Sequence, residues 1–323
     1  DACDELGLFV IVNTPGWQFW NDDRVFAERV YSDIRNMVRR DRNHPSVWLW
    51  EPILNETWYP EDFAANVVRI LHEEYPYPLY AGCDAAARGA EHFPVQFTHP
   101  LNGDDGAFNT RELDPKVCYF TREWGDNVDD WNSHNSPSRV NRGWGEVPML
   151  VQAKGYARPD YQYTCYDALW RTPRQHVGGC LWHSFDHQRG YHPDPFYGGI
   201  MDAPAAENSY YMFCAQRPVQ PNPELIAGSG PMVYIAHAMT PFSPADVTVY
   251  SNCDEVRLLL QDGEPRVYRK SPEAGGMPSP VILFEGVFDV MRDKELSREG
   301  RQGDSSLLAE GLVDGRVVAT HKV

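Results

Sequence analysis

Basic residues are scarce in this chain. Against 46 Asp and Glu stand 29 Lys and Arg, giving a formal net charge of −17. A surface of that sign repels nucleic-acid phosphates and anionic headgroups, so neither nucleic acid nor a membrane is an expected partner. No run is apolar for long enough to span a bilayer. The 7 Cys are odd in number and widely spaced, with no Cys-x-x-Cys pair and no Cys/His cluster. That argues against a zinc site and a disulfide framework, and nothing calls for a cofactor. Cys118 and Cys180 fall inside apolar runs and are expected to be buried thiols. No Gly-x-Ser-x-Gly elbow occurs, which removes the α/β-hydrolase esterases. Tryptophan is absent from residues 232–323, so a sugar-stacking site is not expected there.

Tryptophan is plentiful elsewhere, with 10 in the chain beside 17 Tyr. Residues 43–57 hold the most informative stretch. A turn from Asn43 to Ser46 leads into an apolar run that closes on Asn55 and Glu56. Residues 117–121 repeat the pattern and stop at Arg122, Glu123 and Trp124. A buried parallel strand has this form when it delivers a carboxylate to the C-terminal mouth of a barrel. Two such strands, each with aromatic neighbours, suggest paired carboxylates facing a sugar.

The spacing of apolar residues predicts strands at 8–12, 47–54, 79–81, 95–98, 117–121 and 177–182. It predicts helices over 22–40, 60–75, 161–171 and 208–217. Strands alternating with helices indicate a parallel α/β barrel. Six strands fall short of the eight that closure needs, so the chain reads as a fragment carrying a partial (β/α)8 barrel over 1–217. The stretch 218–231 is a Pro/Gly-rich linker. Short strands with turns such as Asp262-Gly263 and Asp314-Gly315 then predict an immunoglobulin-like β-sandwich over 232–323. Glu51, in a strand beside Pro52, would need a partner such as an arginine if buried.

These motifs resemble glycoside hydrolase family 2. The run Arg40-Asp41-Arg42-Asn43-His44-Pro45-Ser46-Val47, followed by Trp50 and Asn55-Glu56, is similar to the family's acid/base signature. Tyr119-Phe120-Thr121-Arg122-Glu123-Trp124-Gly125 is similar to its nucleophile strand, and Gly178-Gly179-Cys180-Leu181-Trp182 with Asp186 to its eighth strand. Cys3 to Val10 is similar to the step into the third strand. One departure stands out. Four residues, Glu51 to Leu54, separate Trp50 from Asn55, where the commoner pattern has three.

The resemblance implies a retaining β-glycosidase, most simply a β-galactosidase, with Glu123 as nucleophile and Glu56 as acid/base. A β-glucuronidase, a β-mannosidase or a silent carbohydrate-binding relative are the alternatives. Asn55 would bond a sugar 2-hydroxyl. His99 and Asp186 would bond or brace near the sugar, and Trp124 and Trp182 would be platforms or core rings. Trp17, Phe19 and Trp20 are candidate subsite walls, and the long stretch 126–145 suggests an extended subsite. Glu146 and Asp126 compete for the nucleophile's role. The expected partner is carbohydrate, and a homo-oligomer of the full-length protein stays open. A periplasmic or secreted location suits a polysaccharide-degrading protein, and a cytoplasmic one is the alternative.

Overall fold

The computed structural model describes the chain except residues 15–19, 54–56, 85–87, 99–100, 103–106, 109–113, 125–144, 159–164, 186–198, 203–204, 220–229, 262, 272–274 and 301–304. Two compact units are present. The first comprises Asp1–Asn102, Asn109–Arg122 and Thr172–Gly179. The second comprises Gly103–Phe108, Glu123–Arg171 and Cys180–Val323.

In the first unit, helix α1 (Ala2–Leu6) ends on Gly7 in the left-handed region at φ 67°. Strand β1 (Val10–Asn13) and helix α2 (Arg24–Asp41) follow. Asp23 caps α2 by accepting from the Val25 N–H, and Ile34, Met37 and Val38 form its buried stripe. Strand β2 (Val47–Glu51) leads to helix α3 (Glu61–Glu74), which Pro60 precedes and which buries Phe63, Val67, Ile70 and Leu71. Strands β3 (Ala81–Asp84) and β4 (Val95–Phe97) come next, then the two-residue strand β5 (Leu101–Asn102); the two-residue β6 (Ala107–Phe108) falls in the second unit. Strands β7 (Cys118–Trp124) and β8 (His176–Leu181) complete the set.

β1 pairs with β2, β3 with β4 and β4 with β7, all parallel. A parallel bridge from Trp50 to Tyr80 joins β2 to β3, and the Tyr119 N–H donates to the Gln175 carbonyl beside β8 at 2.9 Å. The order β1-β2-β3-β4-β7-β8 is that of six successive barrel strands. At β2 and β3 both faces are covered, as buried parallel strands require. Trp50 and Tyr80 pack on α2 and α3, while Leu49, Ala81, Val95, Phe97 and Phe120 form the inner layer.

The first helix is tied to this sheet by Asp4. Its carboxylate accepts from the Ser46 N–H at 2.9 Å and pairs with His44 Nδ1 at 2.6 Å. The Ser46 hydrogen bonds, then His44, hold it far below the usual carboxylate range. A depressed value means that the stabilisation is complete above the ordinary pKa of 3.8 and is lost as pH falls below it. The melting temperature should fall between about pH 5 and pH 2 more steeply in the native chain than in Asp4→Asn. Parallel curves for the two proteins would contradict this.

Strands β9 (Met201–Asp202) and β10 (Ala205–Ala206) and helices α4 (Glu146–Ala157), α5 (Tyr166–Trp170) and α6 (Asn208–Cys214) belong to the second unit. So does an antiparallel β domain of two sheets. One sheet is β11 (Val233–Ala236), β12 (Val247–Ser251) and β15 (Ile282–Phe284). The other is β14 (Arg266–Arg269), β13 (Glu255–Leu260), β16 (Leu307–Val313) and β17 (Arg316–Lys322). Helix α7 (Val290–Arg298) intervenes before β16. Alternating side chains such as Val247, Val249, Val256 and Leu258 meet between the sheets. The Asp314-Gly315 turn has positive φ at both residues, 49° and 73°, the backbone twist a two-residue hairpin needs. The β domain packs on α4 and α6 through Tyr250, Ala236 and Met277 against Tyr156 and Met212.

The buried-thiol expectation is corrected. Cys118 and Cys180 are both exposed. Cys118 is the first residue of β7, and β8 is the end strand of its sheet, where Val177 is 51% exposed. An apolar run implies burial only where both faces of the strand are covered.

Candidate active site

Beyond the irregular register at Val10/Ile11, β2 alternates regularly. Leu49 points into the inner layer, Trp50 to the helices, and Glu51 inward again. On β7, Phe120 lies in the inner layer and Arg122 follows two residues later on the same face. The two strand ends meet there. Arg122 Nη1 donates to Glu51 Oε1 at 2.7 Å, with the Glu51 side chain 2% exposed and that of Arg122 15%. The buried acid therefore has the arginine partner that its burial demands. The guanidinium also sits over the Phe97 ring of β4, 5.6 Å from its centroid.

Thr14, just past β1, clamps the same place. Its N–H donates to the Glu51 carbonyl at 3.1 Å and its hydroxyl to the Pro52 carbonyl at 2.8 Å. The backbone leading to residues 54–56 is thus held from β1. A second buried knot fixes the neighbouring strand ends. The Thr121 hydroxyl donates to the Thr98 carbonyl at 2.8 Å and lies 2.8 Å from His176 Nε2. The hydroxyl has one proton, so the ring nitrogen must donate to it, which assigns the Nε2–H tautomer. Burial lowers the His176 pKa and keeps the ring neutral.

Glu123 is half-buried on β7, next to Arg122. Trp124 is 3% exposed, ringed within the second unit by Tyr166 and Phe213, both at 5.6 Å. Its ring faces protein, which is the core-ring alternative of the two roles expected for it. The half-buried Trp182 donates its backbone N–H to the Trp124 carbonyl at 2.9 Å, and the Trp182–His183 peptide is cis. Glu146 accepts from the Ala238 N–H at 2.9 Å and from the Ser243 hydroxyl. It is engaged in holding the β domain to α4. Two acid/His groups among the described residues have cation-ligand spacing, Asp1/Asp4/His44 and Glu61/Glu91/His92. Neither contains Glu51 or Glu123.

The model for glycosyl hydrolases family 2, TIM barrel domain, matches residues 1–74. A β-galactosidase of Thermoanaerobacterium thermosulfurigenes is 39% identical over 100% of this chain and 44% of its own length. The chain belongs to glycoside hydrolase family 2. Another β-galactosidase, from Thermoanaerobacter pseudethanolicus, is 27% identical over 99% of this chain and 40% of its own length. Among solved structures, a β-glycosidase from Bacteroides vulgatus superposes with a TM-score of 0.64 at 19% identity, over 99% of this chain and 42% of that one. The chain thus spans less than half the length of each of these proteins.

Within the family frame, the described strands account for the expected motifs unevenly. Glu123, Trp124 and Trp182 are described, whereas Asn55, Glu56, His99 and Asp186 lie outside the described residues. Trp17, Phe19, Asp126 and residues 126–144 of the long loop lie outside as well. Trp20 is described and packs edge-on against Phe63 at 4.5 Å, as part of the helix-facing core. Reading residues singly missed the Glu51–Arg122 pair and the Thr121–His176 knot. The signal for the first was present in the unexplained acid beside Pro52 and the arginine ahead of Glu123.

Proposed function

We propose that the intact protein is a retaining β-glycosidase acting on β-galactosides, with Glu123 as nucleophile and Glu56 as acid/base. The observation that carries this reading is the Glu51–Arg122 ion pair. It fastens together the two strand ends that lead, one residue and five residues later, to these glutamates. Retention requires two carboxyl groups about 5–5.5 Å apart. Glu123 attacks the anomeric carbon while Glu56 donates its proton to the departing oxygen. Glu56 then takes a proton from water as that water releases the sugar from Glu123. The two acids serve each other electrostatically. The charge on Glu123 keeps Glu56 protonated, and esterification of Glu123 removes that charge when Glu56 must act as base. Asn55, His99, Trp182 and Asp186 are the proposed sugar contacts.

Galactosyl specificity is favoured over glucuronyl by the scarcity of lysine, since Lys116 and Lys154 are the only Lys in residues 1–217. A uronic acid needs a cation for its carboxylate. Lys116 precedes the N-terminal end of β7, roughly 20 Å along the strand from Glu123. Lys154 is exposed on α4, and Arg122 is ion-paired to Glu51. The barrel part over 1–217 carries this chemistry, and a periplasmic or secreted site of action fits it. The test is peptide mapping of the intact protein after incubation with 2-deoxy-2-fluoro-β-galactosyl fluoride, which traps a glycosyl–enzyme ester. A label on Glu123 is expected. A label on another residue overturns the assignment, and labelling only by the gluco or manno reagent overturns the choice of sugar.

A further inference from the structure

We infer that Glu51 and Arg122 are positioning residues that set the spacing of the two reacting carboxyl groups. The inference rests on the reading of Glu56 and Glu123 just given. The pair is too buried and too well placed to be an ordinary surface bridge. Glu51 is 2% exposed, its carbonyl is taken by the Thr14 N–H, and the next carbonyl, that of Pro52, by the Thr14 hydroxyl. Arg122 is held from below by the Phe97 ring and from one side by the Glu51 carboxylate. The bond ties β2 to β7, the Thr14 hydrogen bonds add β1 and the Phe97 ring adds β4.

An apolar pair could fill that space at lower desolvation cost. A guanidinium–carboxylate bond does something that an apolar contact does not. It fixes direction as well as distance, through a planar donor and a short charge-assisted bond. Direction is what the site needs, because an error of about 1 Å in the placement of a reacting group costs about 100-fold in rate. Glu51 lies five residues before Glu56 and Arg122 one residue before Glu123, so the pair anchors the chain ahead of each acid.

The experiment compares the intact native protein with Glu51→Gln/Arg122→Gln, which keeps an amide–amide hydrogen bond without charge, and with Glu51→Asp, which keeps charge and shortens reach. Three readouts are taken on folded protein: kcat and KM for a β-galactosyl disaccharide, the same constants for an aryl β-galactoside with a highly acidic leaving group, and the rate of fluoro-sugar labelling at Glu123. Positioning predicts a fall in disaccharide kcat of about 100-fold in both variants, with KM nearly unchanged. It predicts a much smaller loss on the aryl substrate, whose departure needs no proton from Glu56. A lower melting temperature with normal disaccharide kcat would reduce the pair to a structural role and overturn the inference. An equal loss on both substrates would also overturn it, because the fault would then lie outside the relation between the two acids. Should the double variant fail to fold, Glu51→Asp decides by the same criteria. If the native protein takes no label at Glu123, the functional reading fails first, and that outcome is distinguishable from all of these.

Discussion

Alanine in place of Glu123 is expected to abolish turnover of every β-glycoside the intact protein accepts, with kcat falling by at least ~10⁴-fold. The reason is covalent. Without a carboxylate under the anomeric carbon there is no ester, and the double displacement loses its first bond. Alanine in place of Glu56 should behave differently. A disaccharide needs a proton on its leaving oxygen and should lose about 10²–10⁴-fold. A substrate with a very acidic leaving group departs unaided, so formation of the Glu123 ester should survive and the ester should accumulate. Azide, added as a nucleophile that needs no general base, should then restore release of the sugar. The contrast between the variants separates nucleophile from acid. If both kept normal turnover of disaccharides, neither glutamate would be part of the chemistry.

The second large effect concerns stability. Arg122→Met should strand the Glu51 carboxylate, 2% exposed, without the guanidinium that compensates its desolvation. Breaking a buried pair by removing one partner costs about 3–5 kcal/mol, which corresponds to a fall in melting temperature of about 10–20 °C for a unit of this size. Adding Glu51→Gln to Arg122→Met removes the stranded charge and should recover more than half of that loss. Thermal melts of the two variants beside the native protein check this. A drop of less than about 1 kcal/mol for Arg122→Met would place the pair with ordinary surface bridges. Stability regained without turnover regained would separate the structural from the positioning role.

Much of the barrel was legible in the chain. The six strands were read from apolar runs with polar ends, and each lies within a few residues of its expected place because hydrophobic run length reports burial directly. Helices α2 and α3 were read from their stripes for the same reason. Helix α4 was missed. It carries Pro148 in its first turn and Gly155 near its end, and its buried residues Gln152, Ala153, Gly155, Tyr156 and Ala157 cluster at one end of the helix and so leave no helical stripe. Helix α7 has a legible start in Asp289, whose side chain accepts from the Met291 and Arg292 N–H groups, and a polar body that periodicity passes over. Strands β14, β15 and β16 were missed within the β domain. The first is short and largely exposed, and the second has three residues.

What the sequence determined by itself was therefore the list of strands and the two motifs that end in Asn55-Glu56 and Arg122-Glu123. Local pattern encodes local structure, and a strand that must be buried announces itself by composition. The tertiary structure alone decided which side chains meet. It paired Glu51 with Arg122 across 71 positions of chain, fixed the His176 tautomer through Thr121, turned Trp124 into the core and left Cys118 and Cys180 exposed. No spacing rule reaches that far, because a contact between distant strands depends on the order and register of the sheet. Those are settled by the packing of the whole unit rather than by any stretch within it.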